Sequence, residues 1–225
     1  MGRFDLMMKV LHLENRMRFG YVFAVVVAVF LLALQPAKAE EKNFKNEAGQ
    51  LITTLADTAL KSLTEPDLKI EIRRQRVRDL LDTYFDFKAI SQWVLGRYWR
   101  RATSQERDRF YALFQDLMVY SYADRFSQYS GEKLEIGKVD VRGGKDALVH
   151  TVLQRTGAQK PVNVVWRVRK RNDETLIVDI MIEGISMGIT QQKEFASVIR
   201  NKGGKVTGLL GELENQLAAL STGTQ

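Results

Sequence analysis

The sequence predicts an α+β fold, and three observations carry the prediction. Apolar residues recur at spacings of three and four from residue 44 to about 129. After Gly131 the pattern changes to period two, and it returns to helical spacing near residue 190. The period-two segments are joined by connections short enough to require antiparallel neighbours. The expected architecture is a curved four-stranded antiparallel sheet with helices packed on its concave face.

The elements follow in order. In 44–63, Phe44, Ala48, Leu51, Ile52, Leu55, Ala59 and Leu63 mark one helical face. Pro66 after Thr64, with Asp67 three beyond Thr64, reads as a stop and a capped restart. The second helix is expected over roughly 66–85, with the basic run "RRQRVR" (73–78) on its outer side. A third covers 87–101. Thr103 and Glu106 form a capping-box pattern that opens a long helix to about Tyr129. Its apolar stripe is Phe110, Leu113, Phe114, Leu117 and Met118.

Four strands follow: "KLEIGKVDV", "ALVHTVLQR", "PVNVVWRVRK" and "TLIVDIMIEGISM". Turn residues fall at Gly143-Gly144, Gly157 and Asn172-Asp173. A turn centred on Asn172 places Val162, Val164, Trp166 and Val168 on one face with Leu176, Val178, Ile180 and Ile182. The other face then carries Asn163, Arg167, Arg169, Asp179 and Glu183 and is expected to be wet. The apolar face must be covered by helices. Helices over about 190–201 and 206–220, separated by Gly203-Gly204, close the chain.

The amino terminus predicts export. Residues 21–34 carry no charge, and the run is shorter than the roughly 20 residues a membrane span needs. Arg16 and Arg18 precede it, and "QPAKA" follows with Ala37 and Ala39 placed for signal peptidase. Residues 1–39 read as a signal peptide cleaved after Ala39, with Met17 as the start the pattern favours. Residues 40–225 form a single domain. The formal net charge is +7, and the leader holds enough of it to leave about +4 on the remainder, short of a dedicated nucleic-acid binder. No cysteine is present, so an exported chain must be stabilised by burial alone, and the periplasm is the compartment that fits.

Catalytic chemistry has few carriers. The chain has two histidines, and only His150 lies beyond the leader. Without cysteine it makes no transition-metal set, so neither a metal nor a cofactor is expected. "GGKDA" and "NKGGKV" lack phosphate-loop spacing and read as a hairpin turn and a helix break. A cone-shaped enzyme acting on a small hydrophobic substrate would need an inward acid, for which Asp86 and Asp124 are the candidates. The stronger signal is bulk: Trp93, Tyr98, Trp99, Phe110, Phe114, Met118, Tyr122, Trp166, Met181 and Met187 can wall a cavity as well as fill one.

"FDFKAISQWVLGRYWRRATSQERDRFYALFQDLMVYSYADRF" (85–126) and "VDIMIEGISMGITQQKEFASVIRNKGGKVTGLLGEL" (178–213) resemble the MlaC family of periplasmic phospholipid carriers, the toluene-tolerance auxiliary family. The shared marks are Phe87 after Asp86, Leu95 to Trp99, Ala102 to Arg107, Trp166-Arg167, Asp179 to Ser186, Glu194-Phe195 and Gly208-Leu209. Trp166 departs from the smaller aromatic common there.

The resemblance implies a carrier that is an ABC transporter auxiliary component, not an enzyme. It implies a monomer in the periplasm that shuttles a glycerophospholipid between an outer-membrane lipoprotein complex and an inner-membrane ABC transporter complex, maintaining outer-membrane lipid asymmetry. Nucleic acid is not an expected partner. Two acyl chains expose on the order of 30 methylenes, and about 0.8 kcal/mol for each makes roughly 24 kcal/mol in water, so the tails must enter a hydrophobic cavity. The headgroup is hydrated and stays outside. On this reading Val94, Leu95 and Tyr98 face the tails from the third helix, and Phe110, Phe114 and Met118 from the long one. Val164, Trp166, Val168, Ile180 and Ile182 face them from the sheet. Ile185, Met187 and Phe195 complete the lining. Arg97, Arg100 and Arg101 remain near solvent for headgroup or docking contacts, and the basic run at 73–78 is a second docking candidate.

Overall fold

The computed structural model of the chain describes residues 35–222 apart from 130, 158 and 173. The expected leader lies outside them except for the backbone of 35–39. The chain divides after Asn43 into two compact units. Of the first, only the opening turns of helix α1 (Gln35–Leu63) are described.

The second unit is α+β, as the sequence predicts. Its described helices continue with α2 (Ile70–Tyr84), α3 (Phe87–Leu95), α4 (Ser104–Ser127), α5 (Met187–Asn201) and α6 (Val206–Thr222), and a 3₁₀ turn (Gly96–Tyr98) extends α3. The strands are β1 (Lys133–Arg142), β2 (Asp146–Gln154), β3 (Val162–Arg171), β4 (Glu174–Ile182) and β5 (Ile185–Ser186), all antiparallel and in chain order across the sheet.

The sheet thus has five strands where four are expected. "TLIVDIMIEGISM" does not run straight. Glu183 and Gly184 take φ of 48° and 79°, the primed turn that matches strand twist, and Ile182 pairs with Ile185 across it. The signal is weak because a left-handed glutamate is uncommon. Here its carboxylate oxygen accepts from the Asn163 backbone N–H, 2.5 Å.

A second difference sits in β4. Arg167 pairs with Asp179 but Val168 pairs with Ile177, so Val178 is an extra residue, a β-bulge. Beyond it the faces exchange. Ile177 enters the core, fully buried, where period two assigns Leu176 and Val178. The third difference is in α2, which starts at Ile70 after Lys69 with no side-chain cap. Asp67 is left-handed (φ 58°), and the Thr64 hydroxyl donates to Leu60 O, so neither caps a restart.

The helices do not all lie on the sheet. One core joins α1, α2 and the C-terminal half of α4 to the inner sheet face, through Ile52, Leu63, Val77, Leu81, Val119, Val149, Val168 and Ile177. A second is wholly helical and joins α3, the N-terminal half of α4, α5 and α6. There Phe87, Phe110, Phe114 and Phe195 interlock with ring centroids 5.1–5.7 Å apart. Helix α4 serves both cores with different faces along its length. The expected capping box starts it: Thr103 Oγ1 accepts from Glu106 N–H, and the Glu106 carboxylate accepts from Thr103 N–H. The backbone of Phe85 bridges Ile177 on the edge of β4 that β5 leaves free, and Asp86 N–H donates to Ile177 O, 3.0 Å.

Candidate functional site

Cross-strand pairing orders the inner sheet face into rows. Val141, Ala147, Val168 and Ile177 are successive partners at the end nearest the β1–β2 and β3–β4 turns. The last three of them are fully buried under α1 and α2. Val139, Val149, Trp166 and Ile180 form the next row, in which Trp166 and Ile180 are half-buried. Then come Ile136, Thr151, Val164, Ile182 and Ile185, one residue from each strand. In that row Ile136 is 39 % exposed, Ile182 37 % and Ile185 60 %, whereas Thr151 and Val164, between Ile136 and Ile182, are buried. Leu134, Leu153 and Val162 lie beyond it, half-buried. The apolar face passes from sealed toward open along the strands at its two sides, where Ile182 with Ile185, and Ile136 across the sheet, are exposed apolar residues that mark a contact site.

Polar atoms in this face are paired. The Trp166 indole N–H donates to Thr151 Oγ1, 3.1 Å, and that hydroxyl donates to Val164 O, 2.9 Å. The large indole is thereby fixed at the border between the sealed and open rows. Met118 of α4 is half-buried and packs against both cores.

The expected lining residues divide. Trp166, Val168, Ile180 and Met118 pack in the sheet-facing core, and Val164 and Ile182 stand in the open row. Val94, Leu95, Tyr98, Phe110, Phe114 and Phe195 belong to the helical core, which contains no sheet residue. Phe110 and Phe114 therefore do not stand beside Val164 and Ile182. Helical spacing gives a stripe on α4, but it does not say which neighbour each half of the stripe meets. Ile185 is exposed, and Met187 is half-buried at the start of α5.

The aromatic and basic stretch at 93–101 separates by burial. Tyr98 is buried in the helical core, with Trp93 and Trp99 packed against it. Arg97, Arg100 and Arg101 are exposed. The Arg97 guanidinium donates to the Tyr98 hydroxyl, 3.0 Å, and this bond holds the phenol below its ordinary pKa, against burial and with help from Arg200 and Arg101.

The run at 73–78 is not a free docking surface. Arg73 is buried and donates to Leu63 O, 3.0 Å. Arg76 pairs with Glu65, 2.9 Å, and Arg78 reaches Gln115 and Asp116 on α4. Arg74 lies over the Tyr120 ring, 3.9 Å from its centre. These arginines pin α2 to the end of α1 and to α4.

Asp179, expected on the wet face, is 8 % exposed. Its carboxylate accepts from Ile180 N–H, Ser186 Oγ and Gly188 N–H at 2.9, 2.6 and 3.1 Å. It ties the end of β4 to the first turn of α5, which Ser186 caps. Arg167 does not pair with it. Arg167 and Arg169 both bind Asp146 on β2 and hold its carboxyl at a pKa of about 2, with the Arg169 hydrogen bond the largest cause.

Of the two acids that an enzyme reading needs, Asp86 caps α3 by accepting from Ala89 N–H, 3.0 Å. Asp124 Oδ1 is buried without a hydrogen-bond partner. His150 Nε2 lies 3.1 Å from Asp140 on β1. Among the described residues no group of three or more His, Cys, Asp or Glu is placed to hold a metal ion. No described helix is long and apolar enough to cross a membrane.

The fold has counterparts. A phospholipid-binding protein from Ralstonia solanacearum, solved in complex with a phospholipid, superposes with a TM-score of 0.71 at 26 % identity, over 77 % of this chain and 98 % of that one. The intermembrane phospholipid transport system binding protein MlaC of Haemophilus influenzae is 23 % identical over 133 residues, which span 58 % of this chain and 62 % of that protein. The profile of the MlaC protein family matches residues 53–215, from the middle of α1 into α6 and across both cores. The chain belongs to the MlaC family.

Proposed function

We propose that the chain is a periplasmic phospholipid carrier, exported by the leader over residues 1–39 and acting as a monomer. It takes a glycerophospholipid by its acyl tails and passes it between an outer-membrane lipoprotein complex and an inner-membrane ABC transporter complex, which maintains the lipid asymmetry of the outer membrane. It catalyses no reaction and uses no cofactor; the lipid is cargo. The phospholipid held by the Ralstonia relative and the transport system named for the Haemophilus relative support this reading.

The observation that carries it is the gradient along the inner sheet face. The tails enter beside Ile182 and Ile185, the exposed end of that row, and lodge toward Trp166, Ile180 and Met118, which are half-buried and close the way to the sealed row. Apolar surface left open there costs about 25 cal/mol per Å² until it is covered, and an acyl chain covers it. Phe110, Phe114 and Phe195 brace the helices rather than touching cargo. The headgroup stays in water, because burying its charge without partners costs several kcal/mol.

Lipid extraction of the gently purified protein, followed by mass spectrometry, tests the proposal. Phospholipid is expected at about one per chain, directly or after incubation with donor membranes. A protein that stays empty after both treatments is not a carrier.

A further inference from the structure

The end of the sheet opposite the open row carries a groove of about 510 Å³, lined by Arg142, Lys145, Asp146, Arg169, Lys170, Arg171 and Asn172. Two hairpin tips form its walls. Gly143 and Gly144, with φ of 58° and 68°, turn β1 into β2, and a Cβ on either would meet nothing within 4 Å. No side chain therefore stands between Arg142 and Lys145. The second tip turns at Asn172, φ 49°. Lys170 N–H donates to Lys145 O, 2.9 Å, and fixes one tip against the other.

The charge is unbalanced. Asp146 offsets only one of Arg167 and Arg169. Glu47 pairs with Lys170, and Asp86 lies 3.4 Å from Arg171. Arg142 and Lys145 are exposed and have no acidic partner among the described residues. Glu174 stands opposite Arg171 in the β3–β4 register. With it, Asp146, Glu47 and Asp86 counted against Arg142, Lys145, Arg167, Arg169, Lys170 and Arg171, the described charge about the groove stays positive, and Arg142 and Lys145 keep donors free for carboxylates.

We infer that this groove is a docking site for an acidic segment of a partner protein, separate from the lipid site. Its concave form suits an inserted peptide segment carrying carboxylates; a bilayer presents its phosphates in a plane that two projecting tips hold away from the floor. Arg169 and the open row at Val164 are five residues apart on β3, about 17 Å at strand rise. A partner can thus hold one end of the sheet while cargo moves at the other.

The test uses the full exported chain and two double variants with the same change of charge, Arg142→Glu with Lys145→Glu, and Lys193→Glu with Lys205→Glu at exposed positions given no binding role. The probe is a fluorescein-labelled oligoglutamate peptide followed by anisotropy at low and high salt. Vesicles of phosphatidylglycerol and phosphatidylcholine form a second arm. The groove variant is expected to bind the peptide about tenfold more weakly at low salt, with the difference shrinking as salt rises, while the Lys193/Lys205 variant stays within about twofold of wild type. Equal losses in both variants would reduce the effect to net charge and overturn the inference. So would no loss in either, no peptide binding by wild type, or a loss confined to vesicles. Melting temperature and extracted phospholipid should be unchanged in the groove variant, so failure of the carrier reading and failure of this one have separate readouts.

Discussion

The Trp93 indole lies against the backbone of Gly188 so closely that a Cβ at 188 would stand 2.0 Å from Cζ3 and 2.6 Å from Cη2. The contact joins α3 to the first turn of α5, where Gln192 also donates to Trp93 O, 2.6 Å. Alanine is ordinarily the better helix former by about 1 kcal/mol. Overpacking costs about 1–3 kcal/mol, and a rigid ring cannot bend away as a flexible chain end could. Gly188→Ala should therefore destabilise, by up to about 2 kcal/mol net, seen as a lower denaturant midpoint with unchanged slope. A midpoint that rises would show that propensity outweighs the ring contact.

Asp179→Ala should cost about 2–3 kcal/mol, because it leaves two backbone donors and a hydroxyl without their acceptor beside the start of α5. A surface position would lose less than about 1 kcal/mol. Urea unfolding of the single variant distinguishes the two.

Asp146 gives the chain a defined acid limb. Its folded pKa of about 2 lies below the ordinary value of 3.8, so its contribution is present above the unfolded pKa and is lost as pH falls from about 4 through 2. The side chain is only 15 % exposed, but its arginine partners are 41 % and 37 % exposed, so solvent screening reduces the effect to about 1–2 kcal/mol. Asp146→Asn should be less stable than wild type at pH 7 by that amount and should lose correspondingly less between pH 5 and pH 2, as read by thermal unfolding across a pH series.

Ile182→Glu should fold with a melting temperature within a few degrees of wild type, because the side chain already meets solvent, yet it should carry little phospholipid. Val168→Glu, on the same face but in the sealed row, should fail to fold. Retention of wild-type lipid by Ile182→Glu would move the portal away from the open row.

Elements with a local cause were legible in the sequence. The Thr103–Glu106 capping box, the glycine turn after Arg142 and the helical stripes each depend on residues within one turn of one another. The bulge at Val178 is not legible, since an inserted strand residue leaves no mark on an alternating apolar run; Asp179 keeps the face that alternation gives it, and its burial comes from Ser186 and the first turn of α5 folding over it. The burial of Phe110 among helices was also hidden, because a stripe records amphipathicity and not its partner. The graded row across five strands needs the register of every pair. The groove did leave a trace, with Arg142 and Lys145 flanking paired glycines and "RKR" (169–171) preceding the next turn, but nothing local says that the two tips meet.

The strand order has a consequence for how the chain acquires its structure. Each strand pairs with the one just before it, so the meander can zip by short loop closures that cost little entropy. Helix α1 is different. Phe44 and Ile52 complete their core against Val149, Val168 and Ile177, and Glu47 meets Lys170 across a separation of 123 residues. A chain made amino terminus first carries this helix early, long before the surface it fits. Its apolar stripe must wait in solvent or against a chaperone until β4 arrives, and the final docking of α1, rather than any strand pairing, is the step with the largest loop to close.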